Sequence, residues 1–163
     1  GKDAGSLRLQ VTLLNLDATA QRQQSIAGKT LTLDTAHMEE RSRSYREGST
    51  SSADVFALTT FPVDVPDMGS LQIPWGRIEK IANILARDES GRLRRDGVEI
   101  TLKNVKDKIR GRVILHWKRT MLVGYPSDDG GTIYVVGQSE LGQLSVEFLA
   151  VKEIIVLPPG EKK

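Results

Sequence analysis

Leu7, Leu9, Val11 and Leu13 alternate with Arg8, Gln10 and Thr12, so one face of this segment is apolar and the other polar. That step of two is the signature of a half-buried β-strand. The same alternation recurs at Leu31 and Leu33, between Thr30, Thr32 and Asp34, and at Val98, Ile100 and Leu102, against Glu99, Thr101 and Lys103. Further strands are predicted over Ile109–Trp117, Thr120–Gly124, Thr132–Val136 and Leu144–Phe148. Asp96-Gly97, Gly69-Ser70 and Ser127-Asp128-Asp129-Gly130-Gly131 read as turns. One stretch departs from this rule. Ile78, Ile81, Ala82 and Leu85 fall at helical spacing, with Arg77, Lys80, Asn83 and Arg87 on the other side, which predicts a short helix over 77–87 ended by Gly91. A second helix is predicted from Asp17 to Gln24, with Asp17 as its cap.

Residues 38–53 contain almost nothing apolar and are rich in Ser and Arg. A sixteen-residue connection of this kind is expected to be a mobile hairpin tip or an interaction loop, with Arg41, Arg43, Tyr45 and Arg46 as its contact residues.

The sequence also resembles itself at an offset of 73 residues. Met68-Gly69-Ser70-Leu71-Gln72-Ile73-Pro74-Trp75 lies over Leu141-Gly142-Gln143-Leu144-Ser145-Val146-Glu147-Phe148, followed by Ile78 over Val151 and Ile81 over Ile154. Phe61 and Val63 precede the first copy as Tyr134 and Val136 precede the second. Upstream, Leu31-Thr32-Leu33 falls over Ile100-Thr101-Leu102 once about four residues are gapped. Each copy is one supersecondary unit that cannot bury its apolar face alone, so two copies are expected to share a core. The strand, glycine turn, strand and trailing Ile-x-x-Ile resemble small SH3-like or Sm-like β-barrel modules over about half the chain. The predicted fold is therefore mainly β: an antiparallel β-sandwich or SH3/Sm-like barrel-type halves with a pseudo-twofold repeat, and one or two short helices. Residues 1–157 are expected to form one β-rich domain with related halves 1–87 and 88–157, and 158–163 a polar tail or linker.

Composition supports this reading. Val, Ile and Thr make up 35 of the 163 residues, a β-branched load that favours pleated structure. With no cysteine there is no disulfide, thiolate metal site or cysteine nucleophile. Together with an opening Gly1 in place of Met, that favours a fragment or processed product of an exported, bacterial-envelope protein over a cytoplasmic one. No apolar run approaches the length of a membrane-spanning helix, about 20 residues.

The net charge of +2 conceals an uneven distribution, since residues 87–119 hold 11 Lys and Arg against 5 Asp and Glu. Lys106, Lys108, Arg110 and Arg112 alternate along a predicted strand, with Arg92, Arg94 and Arg95 just before it, and such a stripe suits a phosphate backbone. Aromatic residues are only 5% of the chain, too few for a base-stacking platform.

Enzymatic motifs fail on their particulars. Gly28-Lys29-Thr30 ends like a P-loop, but Gln23 stands where its first glycine belongs and a strand follows instead of a helix. Asp34-Thr35-Ala36 resembles an aspartic-protease turn without its glycine and without a second acid in the other half. His37 and His116 are the only histidines, and neither has metal-ligand spacing or a sequence-evident nucleophile. No cofactor motif is present. The resulting expectation is a non-enzymatic interaction or structural module with a protein partner, engaged through an open sheet edge or the 38–53 loop. Sheet edges would also allow homo-oligomers. The alternatives are an anion or nucleic-acid binder using 92–112, and a hydrolase built on an unrecognised acid pair.

Overall fold

The computed structural model describes residues 7–14, 28–44, 52–87, 93–117, 121–122, 125–126 and 131–159. Thirteen strands follow in chain order: β1 (Leu7–Leu13), β2 (Thr30–Ser44), β3 (Ser52–Ala57), β4 (Thr60–Val65), β5 (Gly69–Pro74), β6 (Ile78–Arg87), β7 (Leu93–Leu102), β8 (Ile109–Val113), β9 (Met121–Leu122), β10 (Tyr125–Pro126), β11 (Gly131–Ser139), β12 (Gly142–Glu147) and β13 (Val151–Leu157). Eleven of them form one antiparallel sheet in the order β12-β11-β2-β1-β13-β6-β7-β8-β4-β5, with β3 added to β2, while β9 and β10, among the described residues, pair with each other alone. The sheet curls into a half-barrel, which gives the mainly β, antiparallel fold expected from the sequence.

Alternation does what the sequence indicates. In β1, Leu9, Val11 and Leu13 point inward and are buried, while Arg8, Gln10 and Thr12 line the other face. They meet Leu33, Met38, Phe61, Val63, Ile78, Ile81, Val98, Ile100 and Ile154 in one core. Phe61 lies at its centre, its ring 5.8 Å from that of Trp75 and 6.1 Å from that of Phe148. Trp75 is buried and satisfies its indole N–H on the Leu58 carbonyl at 2.9 Å.

The helix expected over 77–87 is instead strand β6. Ile78 pairs with Leu102 and Lys80 with Thr101, so Glu79 is an extra residue without a partner. This bulge returns both Ile78 and Ile81 to the core face and creates the three-residue step that imitates a helix. Helical geometry among the described residues is limited to two three-residue 3-10 turns, Trp75–Arg77 and Phe148–Ala150. The helix expected over Asp17–Gln24 lies outside the described residues.

Other boundaries also move. The strand predicted to run to Trp117 ends at Val113. Asp96-Gly97 is not a turn but part of β7, where Gly97 is buried and pairs with Ile84 and Arg112. The turn near Gly69-Ser70 falls one step earlier, with Asp67 at φ 67° and Gly69 at φ 95°, the left-handed region that glycine enters without strain. Most of the polar connection 38–53 is paired as well, because β2 runs to Ser44 and β3 starts at Ser52. β2 changes partners along its length: its first half pairs with β1, and its second half lies between β11 and β3. The switch occurs at a register shift around Thr35, which has a φ of 49°.

Candidate functional site

Beyond Thr35, alternate residues of β2 face opposite ways. Ala36, Met38, Glu40 and Ser42 are buried on the inner face. Glu40 is fully buried, and its carboxylate accepts the backbone N–H of His116 at 2.6 Å and that of Trp117 at 2.8 Å. Gly131 lies against this carboxylate, and a Cβ there would collide with it, so the missing side chain makes room for the anchor. The anchored segment 114–117 supplies two rings. His116 stacks on Phe56 of β3 with centroids 4.3 Å apart and planes within 4°, and Trp117 meets Phe56 edge-on at 6.2 Å. A cavity of about 190 Å³ opens beside this cluster, with Phe56, Leu58, Pro62 and His116 among its walls and Thr59 and Gln72 at its polar side.

β3 is the outermost strand here, since among the described residues it pairs with β2 alone. Val55 and Phe56 are 59% and 42% exposed, so this edge is both unpaired and apolar. The direction of its backbone groups follows from one bond. Leu58 donates its N–H to the Met38 carbonyl at 2.9 Å, continuing the register that pairs Ala57 with Glu39. Antiparallel pairs alternate, so residues 54, 56 and 58 point their N–H and C=O at β2, and residues 53, 55 and 57 point theirs outward.

The outer face of β2 carries a polar network. His37 Nε2 lies 2.5 Å from Glu39 Oε1, Arg41 Nε donates to Glu39 Oε2 at 2.6 Å, and Arg41 also donates to the Ser145 hydroxyl at 2.9 Å. The Arg41 guanidinium covers the Tyr134 ring at 4.1 Å. Burial pushes the Glu39 carboxyl up, but the bonds from Arg41 and His37 outweigh it and hold the group below its ordinary value of 4.5. Stabilisation from this carboxylate is therefore complete above about pH 4.5 and disappears as pH falls through the lower folded value. Glu39→Gln should lower the unfolding midpoint at pH 7 and lose that deficit in acid below the folded value. A deficit of equal size at pH 7 and in strong acid would contradict the assignment.

The basic stripe is dispersed. Lys106 and Lys108 lie in the exposed turn before β8, and only Arg110 and Arg112 are on the strand. Glu99 of β7 reaches both Arg110, at 2.7 Å, and Lys108, at 3.4 Å. The Arg110 hydrogen bond, aided by Lys108, holds Glu99 below the usual carboxylate range against an opposing contribution from burial. Arg112 is exposed and stands opposite Asp64 of β4. Arg94 and Arg95 belong to β7 and Arg43 to β2, but their side chains lie outside the described residues, as do Arg92, Tyr45 and Arg46 entirely. Two of the four stripe cations thus share one carboxylate. Glu99→Gln should release them and make the chain leave heparin at higher salt. The unaltered chain should elute below about 0.15 M, where screening acts over about 8 Å. Unchanged elution of the variant would show that Glu99 does not mask the stripe.

Sequence reasoning named Arg41 but gave Glu40 no anchoring role and did not single out Phe56. Parity could not have found Glu40: counted from Leu31 and Leu33 it points odd residues inward, and the register shift around Thr35 turns Met38, Glu40 and Ser42 to the core instead. Among the described residues no cluster of three or more His, Asp or Glu side chains is placed to hold a metal ion, and no helix is long and apolar enough to cross a membrane. No protein-family model, no curated protein and no solved structure matches the chain.

Proposed function

We propose that this chain is a non-enzymatic interaction module that binds an extended segment of a partner protein along the outer edge of β3. The observation that carries the reading is the strand itself, unpaired on one side and bearing exposed Val55 and Phe56. An added strand would take its main-chain hydrogen bonds from residues 53, 55 and 57, and alternate side chains would provide selectivity. The adjacent cavity, walled by Phe56, Leu58 and Pro62, suits one apolar side chain of that segment. The Glu40 anchor supports the reading because it holds His116 and Trp117 against Phe56 and so gives the edge a fixed aromatic border. A non-enzymatic role is favoured because the titratable cluster at His37, Glu39 and Arg41 spends its bonding capacity internally. Polyanion binding has less support, since Glu99 partly neutralises the stripe.

The test is selection of peptides from a random-sequence display library on the full chain, followed by Val55→Pro. Proline removes an outward N–H and leaves the β2–β3 bonds in place, so it should be tolerated at this edge. Peptides rich in alternating apolar residues should be enriched, and their affinity should fall at least about tenfold in the variant, one lost bond with its neighbours disturbed. Selected peptides that bind Val55→Pro as well as the parent would refute the site.

A further inference from the structure

We infer that the chain is two copies of one five-stranded unit that have exchanged strands, so that the surface each copy presents to the other is built for a second copy of itself. This does not rest on the role proposed for β3. The sheet order reads the same from both ends when β1 is equated with β7, β2 with β8, β4 with β11, β5 with β12 and β6 with β13. Each set of five also keeps the same order along the chain. At the centre, β6 and β13 lie antiparallel with Ile81 paired to Ile154, and these two residues are the same position at the 73-residue offset. A local twofold axis therefore passes through that pair.

Finer details agree independently. Pro74 and Glu147, at φ/ψ of −61°/138° and −63°/137°, lead into the two 3-10 turns, and in each turn the following aliphatic, Ile78 or Val151, donates its N–H to the aromatic's carbonyl. Both turns run into a strand with one extra residue. Glu79 is the bulge in β6, and Lys152 is the bulge in β13, where Thr12 pairs with Glu153 and Leu13 with Val151. Gly69 and Gly142 open β5 and β12 with φ of 95° and 111°.

The pairing also corrects the upstream match. Val11 pairs with Ile154 and Ile100 with Ile81, so β1 corresponds to β7 and Leu31–Leu33 of β2 is not the counterpart of Ile100–Leu102. In this register Leu9-Gln10-Val11-Thr12-Leu13-Leu14-Asn15 lies over Val98-Glu99-Ile100-Thr101-Leu102-Lys103-Asn104. Each five-stranded group takes its first two strands from one copy and its last three from the other: β1 and β2 with β11, β12 and β13, and β7 and β8 with β4, β5 and β6. Among the described residues β3 has no counterpart in the sheet: the equivalent connection after β8 holds β9 and β10, paired to each other.

Interchangeability is the test. In the full chain, residues 69–81 are replaced by the sequence of 142–154, keeping Trp75 for its bond to Leu58. A reciprocal graft places 69–81 into 142–154 and keeps Phe148. A control graft shifts the inserted sequence by one residue, using 143–155, which brings Ser145, Glu147 and Lys152 onto the inward positions of Leu71, Ile73 and Ile78. At least one in-register graft should unfold in a single transition with a midpoint no more than about 10 °C below the parent, while the shifted graft should lose its transition. Failure of both in-register grafts, or survival of the shifted one, would overturn the inference.

Discussion

Replacing Phe61 by alanine is expected to cost about 3–5 kcal/mol, the range for emptying a fully enclosed aromatic site. Phe61 has no exposed surface and contacts rings from two distant parts of the chain, Trp75 before β6 and Phe148 before β13. Those rings belong to different strand groups, so no local rearrangement of one hairpin can fill the space. Aromatic pairs at 5.8 and 6.1 Å add about 0.5–1.5 kcal/mol each beyond area burial. Urea unfolding should show the loss as a lower midpoint with an unchanged slope. A loss below about 1.5 kcal/mol would mean that the site collapses and that Phe61 does not join the groups.

Replacing Glu40 by alanine should cost about 2–4 kcal/mol, because it strands two backbone donors, those of His116 and Trp117, at about 1–3 kcal/mol each. Part of this is recovered if water reaches the exposed side of His116. Glu40→Gln keeps one acceptor oxygen and should fall between parent and alanine variant. The fluorescence of Trp117 reports the change directly, since its placement depends on the anchor and Trp75, the other tryptophan, is buried elsewhere. Equal losses from Gln and Ala, with unchanged fluorescence, would remove Glu40 from this role.

These two sites differ in how far the sequence reveals them. β1, β12, the first part of β2 and the last part of β7 were legible because their apolar residues keep a step of two, and β11 from its dense run of β-branched residues. β6 was misread because the bulge at Glu79 changes that step to three, and a bulge leaves no mark of its own in composition. Residues 39–44 read as a connection because they lack apolar side chains. Their strand is instead held by backbone ladders to β11 and β3, which do not depend on side-chain hydrophobicity. Asp96-Gly97 read as a turn, yet a buried strand position next to β8 uses the same small residue. For the site, Glu40's inward position was hidden by the register shift around Thr35, which reverses the parity set by Leu31 and Leu33. Its partners were hidden too, since they lie 76 and 77 residues away and are backbone groups without a side-chain signature.

The register that places Arg8 beside Leu157 has a consequence for synthesis. Of the described strands β1 is made before the others, and one of its two neighbours, β13, is made after all of them. While the nascent chain grows, the apolar faces of β1 and β2 have no complete sheet to join, and the early β4–β5 hairpin waits for β8 in the same way. Such distant pairing slows folding, because loop closure over most of the chain precedes any stabilising contact. A ribosome moving at about 5–20 residues per second needs several seconds to deliver β13 after β1. Throughout that interval Leu9, Val11 and Leu13 remain uncovered on one side, which makes the half-finished polypeptide a natural client for chaperones that shield bare strands.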